Sequence, residues 1–228
     1  MPKLAKNTVQ KKHPKRELRT DGEATRARIL EAAGELFASA GFAETSNKSI
    51  AAKAEVDLAS INYHFANRAG LYQATLLEAH RLFVNRSLLE QMMKNGLTPK
   101  ERLFSLIELL VERALMRPQP WHLQLLAREA LSPSSHFKVL LEEEAQPKLL
   151  LVTQLISDLT NIPVNDSAIT HCLLSVFAPC STLLVGANLQ HRSLHDTSQM
   201  DATATVQHLY AFSLGGLEAV AKQWQANR

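Results

Sequence analysis

The chain has 228 residues, which is enough for one large or two small domains. With 46% hydrophobic and 21% charged residues and no repeat or low-complexity tract, the composition excludes a largely disordered protein and predicts a soluble globular one. Cys172 and Cys180 lie in one apolar segment, which is typical of reduced core thiols in a cytoplasmic protein. The lysines at the N-terminus are followed by no apolar region, so we expect no secretory signal.

The basic character of the chain is concentrated at its start. Residues 1–20 contain seven lysines and arginines against the single acid Glu17, although the whole chain has a net charge of only +3. We interpret this segment as a flexible basic arm. Such an arm is either a solvated tail or a contact to a polyanion, and the segment that follows it favours DNA contact.

Helical periodicity runs through almost the whole chain, which predicts an all-α protein. Thr20 and Glu23 form a potential capping box at the start of a first helix. Its apolar positions follow the spacing of one helical face, and Gly41-Phe42 predicts its end. Those positions are Ile29, Ala32, Ala33, Leu36 and Phe37.

Two short helices follow the first. Thr45 and Ser46 are N-cap residues for a second helix, and Asp57 can cap a third that covers about Leu58 to His64. Three short helices with a sharp turn before the third are typical of a helix-turn-helix, in which the last helix enters the major groove of DNA. The spacing alone is a weak signal, because small helical bundles share it.

The rest of the chain is also predicted to be helical. We expect an unbroken helix from Asn67 to about Met93 and another opened by Thr98-Pro99-Lys100-Glu101. The remaining predicted helices cover about residues 121–131, 132–160 with a kink near Pro147, 166–187 and 203–225, with a polar loop between the last two.

The last two predicted helices carry wide apolar stripes. Gly215-Gly216 inside the final helix lowers helix stability by roughly 1 kcal/mol per glycine relative to alanine. This cost is best offset where the absence of side chains lets another helix approach closely. The stripes could pack within one subunit, but we prefer a helix-pair interface in a homodimer. Residues 172–189 carry no charge, yet their serine, threonine, proline and glycine content favours a buried helix over a membrane span.

Residues 25–72 resemble the N-terminal domain of the TetR family of bacterial regulators. The residues that carry the resemblance are Thr25-Arg26, Ile29-Leu30, Ala32-Ala33, Leu36-Phe37, Gly41-Phe42, Thr45-Ser46, Ile50-Ala51, Ala54, Val56, Tyr63-His64-Phe65 and Leu71-Tyr72. Four positions depart from the pattern, where Glu55 replaces a turn glycine, Asn62 a tyrosine, Arg68 a lysine and Ala69 a glutamate. A left-handed Glu55 should cost roughly 1 kcal/mol relative to glycine.

The resemblance implies an N-terminal three-helix DNA-binding domain over 21–68 and a C-terminal helical domain for effector binding and dimerisation over 69–228. The implied DNA-binding residues fall into two groups. Ser46, Tyr63, His64 and Arg68 would bind phosphates, and Asn47, Leu58, Ala59 and Ser60 would face base edges. Lys48 could reach a guanine or a phosphate, and Asn62 belongs to the same helix surface. Tyr63 could instead pack in the core, as we expect of Phe65, and His64 could be an ordinary surface residue.

The C-terminal domain resembles other effector domains of the family less specifically. Its segment Leu123 to Phe137 is similar to one in a subgroup linked to toxic compounds and efflux. Arg128 and Glu129 could form a buried pair, lie on the surface or contact a ligand. A mostly apolar pocket with polar anchors is predicted from Phe104, Trp121, Leu125, Arg128, His136, His171 and Phe177. An Arg128 anchor would require an anionic or hydrogen-bond-accepting effector.

The sequence therefore predicts a ligand-responsive repressor that binds an inverted-repeat operator in double-stranded DNA as a homodimer. The alternative is an architectural DNA-binding protein without an effector. Glycine-rich phosphate loops and zinc-protease motifs do not occur, so we expect neither an enzyme nor a cofactor. His191 and His195 lack a third ligand, and a metal site there is not expected. The operator, the regulated genes, the effector and the sign of control stay open.

Overall fold

The computed structural model describes residues 17–186 and 200–227, and within these ranges every regular element is helical. The all-α prediction is confirmed. The basic arm up to residue 16 and the loop with His191 and His195 lie outside the described residues. The helices are α1 (Glu17–Glu44), α2 (Asn47–Ala54), α3 (Leu58–Phe65), α4 (Arg68–Phe83), α5 (Arg86–Lys94), α6 (Pro99–Ala114), α7 (Trp121–Leu131), α8 (Phe137–Leu140), α9 (Gln146–Thr160), α10 (Ser167–Gly186) and α11 (Ala202–Ala226).

The first helix is longer than the sequence indicates. It already includes Glu17, so the predicted start at Thr20 is wrong, and helical residues continue to Glu44. The predicted interruption at Gly41 is present, because this glycine adopts φ 85° and ψ 170° within the helix. Only glycine takes up such a backbone conformation without strain. The turn at Gly41 directs the chain towards α2.

Helices α2 and α3 form around well-defined caps. The Ser46 side chain accepts a hydrogen bond from the backbone N–H of Ser49, and Asp57 accepts one from Ser60 at the start of α3. Glu55 closes α2 in the left-handed conformation with φ 54° and ψ 48°, as its place in the turn predicts. The inner sides of α2 and α3 pack through Ile50 and Ile61, which are fully buried.

The predicted unbroken helix over residues 67–93 is wrong. It is divided into α4 and α5 because Val84 is extended, with φ −138° and ψ 108°. The next residue, Asn85, accepts hydrogen bonds from the backbone N–H groups of Ser87 and Leu88 and starts α5. An asparagine side chain that satisfies the free N–H groups of a first turn is a typical helix start.

Helix α6 begins at the predicted capping box, with Thr98 and Glu101 bonded reciprocally. The helix predicted over residues 132–160 starts at Phe137 instead. Residues 132–136 form a turn, so the predicted start at Ser132-Pro133 is wrong. Between α8 and α9 the backbone widens into a π-helical turn over Leu141–Ala145, immediately before Pro147. A kink is predicted near this proline, and the structure has a π-turn beside it.

Helices α10 and α11 end within one or two residues of the predicted positions and complete the C-terminal bundle with α6 and α9. Among the described helices, only α10 has the length and apolar composition to cross a membrane, and a third of its apolar window is buried inside the chain. Its buried side packs on other helices and includes Ile169, Cys172, Val176, Cys180, Leu183 and Leu184.

We predict that Glu55→Gly stabilises the protein. Glycine removes the cost of holding a side chain in the left-handed conformation, so the free energy of unfolding should rise by up to about 1 kcal/mol. The measurement is urea denaturation. Glu55→Ala is the control, because it removes the same charge but keeps a Cβ. Equal stability of the two variants would contradict the prediction.

Candidate DNA-binding surface and effector cavity

The outer surface of α2 and α3 carries the predicted DNA-binding residues. Tyr63 is 85% exposed and Leu58 is 49% exposed, whereas Ile61 and Phe65 on the same helix are buried. Phe65 is therefore a core residue, as predicted, and Tyr63 is not. The remaining predicted positions on this surface are exposed or half-buried, namely Ser46, Asn47, Lys48, Ala59, Ser60, Asn62 and His64.

Two of these residues have features that their sequence positions do not show. The Ser46 hydroxyl is engaged in the cap of α2, so any phosphate it binds must share that oxygen. Asn47 is half-buried, and its Oδ1 accepts no hydrogen bond from the described part of the chain. An amide without a partner has no fixed hydrogen bond to break when it turns towards a base.

Arg68 is placed differently from the simple phosphate contact implied by the resemblance. Its guanidinium lies over the Phe42 ring, 4.3 Å from the centroid, and donates to the carbonyl oxygens of Phe42 and Ala43. These carbonyls belong to the C-terminal end of α1, where a positive charge is favourable. Arg68 thus joins the start of α4 to the end of α1.

Sequence reasoning missed the requirement for glycine at position 70. A Cβ at Gly70 would overlap the carbonyl oxygen of Phe65, because the chain reverses sharply between α3 and α4. Asn67 caps α4 in this reversal by accepting a hydrogen bond from the N–H of Gly70. The Asn67-x-x-Gly70 spacing at the end of the helix-turn-helix was the available signal.

The helix-turn-helix is packed against the C-terminal helices through α1 and α4. Gly34 of α1 lies so close to the Trp121 ring of α7 that a Cβ there would overlap it. Tyr72 of α4 donates to the Glu129 carboxylate over 2.5 Å, and this carboxylate also accepts from the N–H and hydroxyl of Ser134. Glu129 is only 2% exposed and has the donors that a buried carboxylate needs.

Arg128 and Glu129 do not form the buried pair that the sequence left open. The Arg128 side chain points towards α1, where Nη1 donates to the Ala38 carbonyl over 3.2 Å and the guanidinium lies beside Gly41. The neighbouring His136 lies in edge contact with Phe42 and Tyr72. Both polar residues are therefore at the contact between the helix-turn-helix and the C-terminal helices.

The seven residues predicted to line a ligand pocket do not come together around one cavity. Phe104 packs edge-on against Tyr210 of α11, Leu125 is in the core, and His171 is exposed. Trp121, Arg128 and His136 lie against α1 and α4. Their helical spacing could not specify which of several interhelical surfaces each would face.

A different cavity of about 250 Å³ lies between α4, α5, α6, α9 and α10, and Phe177 is the one predicted pocket residue that reaches it. Its walls are mostly aliphatic and aromatic. The lining residues are His80, Phe83, Val84, Leu89, Leu106, Leu110, Ala145, Lys148, Leu149, Val152, Phe177, Cys180, Ser181 and Leu184.

One end of this cavity is polar. Lys148 is 4% exposed, and its Nζ lies 2.9 Å from a Glu144 carboxylate oxygen and 2.8 Å from His80 Nδ1. The other Glu144 oxygen accepts from Arg81 Nε over 2.5 Å. A buried lysine needs such partners to stay charged. Sequence reasoning missed the cluster because α4 supplies His80 and Arg81 while the π-turn and α9 supply Glu144 and Lys148.

Two protein-family models match the chain. Residues 29–75 match "Bacterial regulatory proteins, tetR family", and residues 99–217, more than half of the chain, match "HTH-type transcriptional dual regulator CecR, C-terminal domain". The chain belongs to the TetR family. The family and the fold are those of transcriptional regulators.

Solved structures of TetR-like regulators share this fold at low sequence identity. A regulator from Pseudomonas aeruginosa PAO1 is 19% identical, with a TM-score of 0.72 over 92% of this chain and 98% of its own. NalD, described as the secondary repressor of the MexAB-OprM multidrug efflux pump of P. aeruginosa, is 21% identical, with a TM-score of 0.62 over 86% and 96%. FadR of Bacillus subtilis, solved with stearoyl-CoA, is 17% identical, with a TM-score of 0.63 over 83% and 98%. The curated protein sequences contain no match.

The polar cluster of this TetR-family chain has shifted protonation equilibria. Burial, reinforced by the Lys148 charge, lowers the pKa of His80 from its ordinary 6.5 to about 4. Burial also lowers the pKa of Lys148, although Glu144 opposes that change. For Glu144, burial raises the pKa, but the hydrogen bonds from Lys148 and Arg81 outweigh it and leave the pKa lowered. At neutral pH His80 is therefore uncharged beside a Glu144–Lys148 ion pair.

We predict that His80 makes the stability of the protein fall as the pH drops from about 6.5 to 4. In this window the unfolded chain takes up a proton on His80 that the folded chain does not, so the stabilisation present above pH 6.5 is lost, by roughly 2 kcal/mol. The measurement is urea denaturation as a function of pH.

The matched variant is His80→Gln, which keeps a polar side chain but cannot titrate. Its stability should be flatter over the same window. Because the pKa of Glu144 is lowered, its contribution to the free energy of unfolding is lost only at lower pH. This loss occurs in the unaltered protein and in His80→Gln alike. Parallel curves for the two proteins between pH 6.5 and 4 would show that His80 does not control this window.

Proposed function

We propose that this TetR-family regulator represses transcription by binding an inverted-repeat operator as a homodimer and is released by a small molecule. The observation that supports DNA binding best is the 85% exposure of Tyr63 on a helix whose neighbouring Ile61 and Phe65 are buried. A large aromatic residue on an exposed helix-turn-helix surface is available to a partner. We propose 1–20 as the arm, 21–68 as the DNA-binding domain and 69–228 as the effector and dimer domain.

The DNA-binding residues divide by chemistry in this proposal. Tyr63, His64 and Lys48 offer hydroxyl, imidazole and ammonium donors to phosphates, and Ser46 and Arg68 contribute while they cap α2 and α1. Base edges face Asn47, Leu58, Ala59, Ser60 and Asn62. Asn47 pairs with adenine, and Ala59 contacts a thymine methyl group. Arg68 is the least accessible member, because its guanidinium is already bonded inside the protein.

The proposed DNA surface is tested with variants of Lys48 and Tyr63 and with a control variant of Lys53. Lys48→Ala and Tyr63→Ala should weaken binding to an operator selected from random DNA, and loss of a phosphate contact at Lys48 should lower the salt slope by about one unit. Lys53→Ala is the matched control, since Lys53 pairs with Glu35 over 2.6 Å. Affinity is measured by fluorescence anisotropy at several salt concentrations.

The proposed DNA surface is wrong if Lys48→Ala and Tyr63→Ala bind the operator as tightly as the unaltered protein. The same assay separates a regulator from the architectural alternative. A regulator should prefer its operator over random DNA by roughly 10³-fold or more. A protein that binds all sequences alike would favour the architectural function.

The proposed dimer surface consists of the outer sides of α10 and α11. Leu174 is 62% exposed and Phe212 is 71% exposed, and a Cβ at Gly215 or Gly216 would meet no neighbouring atom of this chain within 4 Å. In this proposal, the close approach that favours two glycines comes from the partner subunit. Leu217 of α11 is only 4% exposed and belongs to the core of its own subunit.

We predict that Phe212→Arg produces monomers, because it places a charge in the middle of this apolar surface. The matched control is Leu150→Arg on α9, since Leu150 has the same 71% exposure on a different helix. Sedimentation velocity measures the oligomeric state, and circular dichroism checks folding. A dimer that survives Phe212→Arg and dissociates with Leu150→Arg would move the interface to α9.

Effector binding is proposed for the cavity between α4, α5, α6, α9 and α10. The support is its mostly apolar wall with a few polar groups, which is the usual character of small-molecule sites. NalD is a repressor of a multidrug efflux pump and FadR was solved with an acyl-CoA, which also favours an apolar ligand for this chain. Arg128 or His136 as an anchor would require a second binding surface next to α1.

A further inference from the structure

The polar side chains that line the effector cavity include a cation but no carboxylate. Eleven of its fourteen lining residues are hydrophobic, and the three others are His80, Lys148 and Ser181. The Glu144 carboxylate that neutralises Lys148 is not among the lining residues. The chemistry that a ligand meets there is therefore set by an ammonium, an imidazole and a hydroxyl.

The proton on His80 can be assigned from its contact. Lys148 Nζ lies 2.8 Å from His80 Nδ1, and an ammonium can only donate, so Nδ1 is the acceptor. A neutral imidazole that accepts at Nδ1 carries its proton on Nε2. Within the described residues this Nε2–H donates to no acceptor. Because Nδ1 and Nε2 point to opposite sides of the ring, this N–H faces away from Lys148 Nζ.

The lysine also retains capacity for a ligand. Its three N–H groups meet Glu144, His80 Nδ1 and, at a long 3.5 Å, the His80 carbonyl. The last contact is weak, and a better acceptor can replace it. Glu144 is shared with Arg81, so the carboxylate does not serve Lys148 alone. An incoming anion would improve the neutralisation of a lysine that is 4% exposed.

The size of the space limits what can enter. About 250 Å³ is slightly below the roughly 300–1,000 Å³ of pockets for drug-sized ligands, so the ligand is compact. Phe83 and Phe177 offer aromatic surface, and Leu89, Leu106 and Val152 offer aliphatic surface.

We propose that this cavity binds a compact apolar molecule with a single carboxylate group, and that the carboxylate is held by Lys148 while the apolar part fills the remaining space. The proposal rests on the cavity being the effector site. Charge-assisted hydrogen bonds to a carboxylate are the strong interaction here, and the apolar wall supplies most of the contact area.

The test uses three ten-carbon probes that differ only in their head group: decanoate, decanol and decylamine. Isothermal titration calorimetry measures their dissociation constants with the full chain. Decanoate should bind about tenfold or more tightly than decanol, and decylamine should bind most weakly beside Lys148. Naphthylacetate, a carboxylate with an aromatic body, shows whether the wall prefers rings or chains.

Two variants assign the binding to this cavity. Lys148→Met keeps the length of the side chain and should remove the preference for decanoate over decanol. Lys148→Met with Glu144→Gln should do the same with the neighbouring negative charge also removed. Lys138→Met on α8 is the matched control, because Lys138 is exposed and does not line the cavity. Leu184→Trp should fill the space and abolish binding of all probes.

Equal affinity for decanoate and decanol in the unaltered protein, or a preference for decanoate that survives both Lys148 variants, would overturn the proposal. The operator assay is read separately. If carboxylates bind through Lys148 but do not release the operator, the binding site stands and the ligand-responsive function fails. If other molecules release the operator and no carboxylate binds, the function stands and the proposed ligand class is wrong.

Discussion

The buried carboxylate of Glu129 joins the two parts of the molecule. A carboxylate that is 2% exposed needs hydrogen-bond donors, and it obtains them from Tyr72 on α4 and from Ser134 in the turn before α8. These contacts require α4 and α7 to lie side by side. The same helix α7 presents Trp121 to Gly34 of α1. The helix-turn-helix is therefore seated on the C-terminal bundle through a shared core.

Helix α4 connects the proposed DNA-binding surface with the proposed effector cavity. Arg68 in its first turn is bonded to the end of α1, Tyr72 to Glu129, and His80 in its last turn to Lys148. Arg68 and His80 are twelve positions apart, which is about 18 Å along the helix axis. Because one rigid element carries all three contacts, a ligand that moves its C-terminal end also changes the support of α1 and α3. Such a shift needs a ligand that binds the two arrangements with different affinity.

Local signals in the sequence predicted much of the fold. The capping box at Thr98, the left-handed Glu55 and the ends of α10 and α11 follow from short-range patterns. The break at Val84 was missed because the helical pattern of apolar residues continues through it, and only Asn85 marks a new start. The exposed side of α3 could be predicted from the sequence because core and surface positions alternate within its eight residues.

The cavity could not be predicted in the same way. Its lining comes from five helices, and tertiary packing decides which side of each helix faces it. His136 and Arg128 have the polar character of ligand anchors, yet they contact α1 and α4 instead. Lys148 was not singled out, because a lysine in an amphipathic helix usually lies in solvent.

The position of Trp121 gives the molecule a built-in optical reporter. The chain has two tryptophans, and they lie in separate environments. Trp121 is 9% exposed at the contact of α7 with α1 and has the His122 ring edge-on at 5.7 Å, whereas Trp224 near the end of α11 donates to Asp166. With Trp224 replaced by phenylalanine, the emission of the remaining indole reports directly on whether the helix-turn-helix stays seated on the bundle.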